Sequence, residues 1–285
     1  MNRSPLAARV GMAAFLAVAA AFFLLPLYVM LVTSLKPLDE LRAGALFAWP
    51  LAPTLAPWRT AWSEACTGVA CEGVRAGFMN SLAIALPSTL LAVGLGALNG
   101  YALALWRVRG ANWLFGLLMV GAFVPGQVML YPLVRALGTL GLVGSLPGIV
   151  LVHVVFSMPL MTLLFRNWYA SLPTELFNAA RIDGAGFWGV WTRVLLPMSA
   201  PMLGVAAIMQ VTGVWNDYLL GLVFAGHDFA PMTVQLNNLI NTSTGTRQYN
   251  VDMAATLLTS LVPLVVYFGS GRWFVRGITA GALKG

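Results

Sequence analysis

Trp215-Asn216-Asp217-Tyr218 brings together, within a long apolar run, the side chains best suited to a specific solute. A carboxylate and an amide beside indole and phenol rings hold sugars through paired hydroxyl bonds and ring stacking. Asp217 is the one acid that falls inside such a run, and an acid within a membrane span is a functional hypothesis by default. A structural cluster near an aromatic belt, about two helical turns from the interface, uses the same residues, so both readings stay open. Gln127 stands between Pro125 and Pro132. Prolines free backbone carbonyls that neighbours or a water-lined path must satisfy, which makes Gln127 a candidate for lining such a path; a bond between helices is the commoner fate of such an amide. His153 reads as a hydrogen-bonding residue between helices, with nothing beside it that argues for a metal or a proton relay. Cys66 and Cys71 share one polar loop. If that loop faces outward, a disulfide is favoured over two unpaired thiols, and a ring this short contributes at most about 2 kcal/mol. No third or fourth ligand lies near, so no metal is expected there. There is no G-x-x-x-x-G-K-[ST] run, so any nucleotide must be handled by another chain.

Composition determines what kind of element positions these residues. Of 285 residues, 59% are hydrophobic and 9% charged, and mean hydropathy is +0.82. Soluble domains carry about a quarter charged residues, so the chain is expected to be an all-α integral membrane protein. Its length allows about six spans of ~20 residues, expected at 10–34, 78–105, 113–134, 146–165, 202–224 and 253–274. The net charge of +7 sits singly at span ends and not on one face. That pattern fits the positive-inside rule better than nucleic-acid binding. Arg3, Arg9, Arg107, Arg109, Arg166, Arg181, Arg193, Arg272, Arg276 and Lys284 then mark the inner side, and both termini are expected in the cytoplasm. The balanced, proline-rich 36–77 loop with both cysteines falls outside, as does 225–250. The first apolar run is too long for a signal-peptide core, so no cleaved signal is expected. Pro26 should kink the first span, and Gly94, Gly96 and Gly100 should allow a close helix approach in the second.

One segment breaks the apolar pattern. Pro173 and Glu175 suit a first helical turn, and a short helix should run through Leu176, Phe177, Ala179, Ala180 and Ile182 to a break at Asp183-Gly184. A second helix should put Phe187, Val190, Trp191, Val194 and Leu195 on one face before Pro197 and Pro201 end it. Gly184 is expected in the left-handed region, which only glycine enters without strain. On physics alone this is an interfacial helix pair, with Trp188 and Trp191 as anchors.

The ordered string carried by Ala179, Ala180, Asp183, Gly184, Ala185, Leu196, Pro197 and Pro201 resembles the cytoplasmic coupling loop of permease subunits in ATP-binding-cassette importers. The W-N-D pattern, the P-G-Q-V…P-L phrase around Gln127 and the ending R-W-F-V-R-G-I-T-A-G-A-L-K-G resemble carbohydrate-uptake permeases of the maltose type. The likeness spans most of the chain. It implies a MetI-like permease fold forming one domain over 1–285, with six transmembrane helices and a coupling helix between spans 4 and 5, within 169–200. It implies a bacterial inner-membrane location and four kinds of partner: a second, non-identical permease, a homodimeric ATP-binding subunit, a periplasmic sugar-binding protein and the lipid bilayer. The ATPase would bind ATP and magnesium, so this chain would be a transport subunit with no cofactor of its own. Asn178, Ala179, Ala180, Asp183, Gly184, Ala185 and Pro197 would meet the ATPase, as would Arg276, Gly277, Gly281 and Lys284 in the 275–285 tail. The family usually has Glu where Asn178 stands, so a salt bridge from that position is not implied. Gln127, Trp215, Asn216 and Asp217 would lie on the substrate path. The likeness leans towards monosaccharides, glucose first, with glycerol-phosphate and disaccharide importers left open. The rival is a secondary transporter or channel working without an ATPase. Such proteins usually show inverted repeats and broken midplane helices, and no half of this chain matches the other.

Overall fold

A computed structural model describes residues 6–44, 46–68, 70–106, 108–241 and 247–282, the side chains of 7 and 271–282 excepted. Among these residues every regular element is helical. In chain order they are α1 (Leu6–Ser34), α2 (Leu38–Arg42), α3 (Ala56–Ser63), α4 (Arg75–Leu105), α5 (Ala111–Phe123) and α6 (Gly126–Thr139). Then follow α7 (Leu146–Ser171), α8 (Thr174–Ile182), α9 (Phe187–Val190), a π-helical turn (Trp191–Leu195) and α10 (Leu196–Met198). The chain closes with α11 (Ala200–Asn216), α12 (Leu219–Phe224), α13 (Met232–Asn241) and α14 (Tyr249–Ala282). Four helices are long and apolar enough to cross a membrane, or up to six if each of two bent pairs counts as one span.

Two expected spans are not single helices. Within 113–134 the chain turns by 106° between α5 and α6. Pro125 pushes Val124 out of the helical region to φ −69, ψ 123 and is itself extended, so the break lies at the X-Pro step and is no mild kink. Within 202–224, Asp217 is extended at φ −69, ψ 132, and α12 starts afresh beyond it. The helical stretch after Gly186 also departs from expectation, because it passes through a π turn at Trp191–Leu195.

The chain divides into two compact units. In the first, Met1–Arg75 with Leu236–Ser260, the 36–77 region carries α2, α3 and a disulfide joining Cys66 to Cys71. Trp58 Nε1 donates to Ser34 Oγ at 3.1 Å, and Asn250 Nδ2 donates to the Lys36 carbonyl at 3.0 Å. Arg247 Nε meets Asp252 Oδ2 at 3.0 Å in the first turn of α14, where a carboxylate suits the helix dipole.

In the second unit, Ala76–Gln235 with Leu261–Gly285, α4 and α7 cross closely. A Cβ on Gly96 would stand 2.4 Å from Met161 Cβ, and one on Gly100 would stand 2.6 Å from Phe165 Cβ and the Arg166 nitrogen. Gly94, expected to share this role, has open space around it. Ser145 caps α7 by accepting from the Gly148 nitrogen, with a proline in the first turn. The core of this unit is continuous from Ala92, Ala97 and Tyr101 on α4, through Phe165 and Tyr169 on α7, to Phe177 on α8 and Val190 on α9.

Candidate functional site

Two places in the second unit gather chemistry. The first is the segment 174–198. Glu175 lies in the first turn of α8 and Arg181 in its last, each matching the helix dipole. The helix ends at Gly184, whose φ of +83° is the left-handed value expected there. One face of α8 turns inward: Phe177 is buried, and Ala180, with Ala185 beyond the turn, packs on the core cluster. The other face, with Leu176, Asn178, Ala179 and Ile182, is exposed, and so are Asp183, Gly184 and Pro197. Ile182 is the most open of the large apolar residues here, at 85%.

Behind that face lies an aromatic cluster. Tyr101 stacks at 4.7 Å from Phe187 and lies 6.3 Å from Tyr169, and Trp106 meets Phe177 and Phe187 edge-on at 5.9 and 5.2 Å. The Tyr101 hydroxyl donates to the Phe187 carbonyl at 3.1 Å. The Arg181 guanidinium sits over Trp106 at 5.3 Å and over Phe177 at 5.7 Å, within cation–π range. Trp191 packs edge-on against the exposed Trp188. The segment is thus tied to Tyr101 of α4 and to Trp106 just beyond it by rings, a hydrogen bond and a cation, and Tyr169 of α7 belongs to the same core cluster.

The second place is a cavity of about 280 Å³ between α7 and α11. His153, Phe156, Ser157 and Leu160 of α7 line it from one side, and Gln210, Gly213 and Asp217 from the other. The α7 set follows i, i+3, i+4, i+7 spacing and is one helix face, as are Gln210, Gly213 and Val214 on α11, while Asp217 stands at the extended step where α11 ends. His153 Nε2 stands 3.9 Å from Asp217 Oδ2, an ion-pair separation and too long for a hydrogen bond. Asp217 itself caps α12, with Oδ2 accepting from the Gly221 nitrogen at 2.9 Å and Oδ1 from the Leu220 nitrogen at 3.3 Å. Its carbonyl accepts from the Thr233 hydroxyl. Gln210 is 4% exposed, and its Nε2 has no partner.

The expected path residues do not meet. Trp215 is fully buried, with Phe78 edge-on at 5.4 Å, which is a core position. Asn216 and Gln127 are exposed and do not line the cavity. Asp217 does line it, together with His153, expected between helices, and Gln210, which nothing in the sequence singles out. The signal was present as polar residues one helix face apart on two apolar runs, but which runs face each other is not written in either. A larger cavity of about 820 Å³ opens between α4, α5, α6 and α7, with Asn99 the polar side chain among apolar walls. Asn99 Nδ2 is already turned to Met158 Sδ at 3.2 Å. Among the described residues no three His, Cys, Asp or Glu side chains cluster as a metal site would need. Of the expected tail contacts, Arg276, Gly277 and Gly281 fall on α14 with side chains outside the description, and Lys284 lies outside the described residues.

Among the described residues, all-helical structure with several membrane-length helices defines a polytopic membrane protein. Its fold is shared with a chain of the bacterial ABC transporter involved in the import of the acidic polysaccharide alginate, at TM-score 0.79 and 16% identity over 95% of this chain and 99% of that one. Residues 81–280 match the family described as binding-protein-dependent transport system inner membrane component, and the chain belongs to that family. It is similar to the osmoprotective compounds uptake permease protein GgtD of Synechocystis, 39% identical over 75% of this chain and 72% of that protein. It is also similar to the xylose/arabinose import permease protein XacI of Haloferax volcanii, 30% identical over 92% of this chain and 89% of that one.

Proposed function

We propose that this chain is one of two unlike membrane subunits of an ATP-driven, binding-protein-dependent importer of small sugars in a bacterial inner membrane. The observation that carries the reading is the two-sided α8. Its outer face offers Leu176, Ala179 and Ile182 to a groove on an ATPase, while Phe177 and Arg181 engage the ring of Trp106, which directly follows α4 and itself packs on Phe187 of α9. A displacement of α8 is therefore delivered to the helices it is packed on, since close-packed interiors transmit strain. ATPase closure would push α8, and the spans would alternate between inward-open and outward-open. ATP and magnesium would stay with a homodimeric ATPase, and a periplasmic binding protein would deliver the solute. Six spans follow if the α5/α6 pair counts as one and α11, with the helical stretch Phe187–Met198 bent 78° before it, as another. Lys and Arg density then assigns both termini and α8 to the cytoplasm and the disulfide loop to the periplasm. The tail, with Arg276 and Lys284, supplies a second ATPase contact. XacI, named for xylose and arabinose import and similar along nearly the whole chain, supports a monosaccharide solute.

The test is co-purification. Tagged chain from native membranes should retain an ATPase subunit whose hydrolysis is stimulated by a loaded binding protein. Recovery of the chain alone, with solute flux independent of ATP, would overturn the proposal in favour of a secondary transporter or channel.

A further inference from the structure

The cavity between α7 and α11 contains more hydrogen-bonding capacity than the protein uses. A carboxylate offers about four lone-pair sites, and Asp217 commits two of them to the Leu220 and Gly221 nitrogens. Ser157 donates its hydroxyl to the His153 carbonyl at 2.7 Å, which leaves its oxygen free to accept. The Gln210 amide nitrogen is buried with no acceptor, a state that is unfavourable unless something fills it. Donors and acceptors thus converge from two helices on one space. Apolar side chains stand between these polar groups on both sides, Phe156 and Leu160 on α7 and Met209 on α11. At about 280 Å³ the cavity is several times the ~30 Å³ share of one water and just below the ~300–1,000 Å³ range of small-molecule sites. Gly213 leaves one wall without a side chain, and its missing Cβ would meet nothing within 4 Å.

We propose that His153, Gln210 and Asp217 form a subsite for one ring of a neutral, hydroxyl-rich solute in transit through this subunit. Hydroxyls both donate and accept, so a single sugar ring satisfies the Gln210 amide and the spare carboxylate lone pairs together, while its C–H face rests on Phe156. Among the described residues lining the cavity no Lys or Arg balances Asp217, so anionic sugars are disfavoured. The assignment rests on the importer reading above and adds to it the neutrality of the solute and the side chains that contact it.

The experiment uses the complete importer in proteoliposomes, with labelled glucose, xylose and maltose as neutral probes and glucose 6-phosphate as the anionic one. Sugar flux and binding-protein-stimulated ATP hydrolysis are measured together. Gln210→Leu removes an amide without orphaning any protein partner, so assembly and stimulated hydrolysis should remain while neutral-sugar flux per ATP falls at least fivefold. Gln210→Met, unbranched and of similar length, should behave the same way. Unchanged flux per ATP in both variants overturns the subsite. So does loss of assembly in both, because the amide would then be structural. Preferential wild-type transport of glucose 6-phosphate overturns the solute class alone. A wild-type complex that moves none of the four probes, or hydrolyses ATP without stimulation, fails at the importer reading itself.

Discussion

Asp217 shows how one side chain serves two ends. Its oxygens accept from two backbone nitrogens at the start of α12, and Oδ2 also faces His153. Asp217→Asn keeps one acceptor oxygen and loses the charge. It should lower stability modestly, within the ~0.5–2 kcal/mol range of helix caps, and reduce transport per assembled complex. Asp217→Ala loses both bonds and should cost more, which thermal-melt and flux measurements on the same preparation would separate. Wild-type flux per complex in Asp217→Asn would leave the residue as a cap alone. The Cys66–Cys71 bridge works locally. Cys66→Ser with Cys71→Ser should lower the melting midpoint by the equivalent of no more than about 2 kcal/mol and leave transport intact; two alkylatable thiols in unreduced wild-type protein would contradict the bridge.

At the scale of elements, glycines decide how closely helices meet and where they stop. Gly100 lies against the α7 backbone, so Gly100→Leu should prevent assembly, whereas Gly94→Ala faces open space and should be neutral or gain up to about 1 kcal/mol of helix stability. Folded yield by size exclusion would tell these apart. A Cβ added at Gly184 would meet nothing within 4 Å, so a larger side chain there meets backbone strain at φ +83° and no clash. Entering that region costs an ordinary residue about 1–2 kcal/mol, and a β-branched one more. Gly184→Val should therefore tilt α8, leave the spans inserted and abolish stimulated hydrolysis or release the ATPase. Full coupling in that variant would reduce the segment to an interfacial anchor. Asn178 is exposed on the same outward face, so Asn178→Glu should tighten ATPase retention only if the partner kept a basic residue opposite it.

For the whole molecule the deciding property is orientation. Leu51 is 91% exposed and Ile182 is 85% exposed, so single cysteines at either are reachable from water without unfolding. In a background lacking Cys66 and Cys71, Leu51→Cys should react in whole cells with an impermeant maleimide, and Ile182→Cys only after the membrane is opened. The reverse pattern would invert the topology and remove α8 from any cytoplasmic ATPase.

Hydrophobicity and its period are properties of the chain alone, and they determined the all-helical membrane class, the long helices and the limits of α8. Local stereochemistry did the same for the left-handed Gly184. Proline chemistry marked Pro125 as a disruption, but whether a helix bends or breaks depends on what packs on either side, and here the turn is 106°. The polar site was half visible. Asp217 stands out because an acid in an apolar run is expensive, while Trp215 and Asn216 beside it take a core and an exposed position. Neighbours in a helix point about 100° apart, so adjacency scatters side chains between core and surface. Only tertiary packing brings His153 of α7 opposite Gln210 and Asp217 across α11, because that pairing depends on which two apolar faces meet, and an apolar face fits many others equally well.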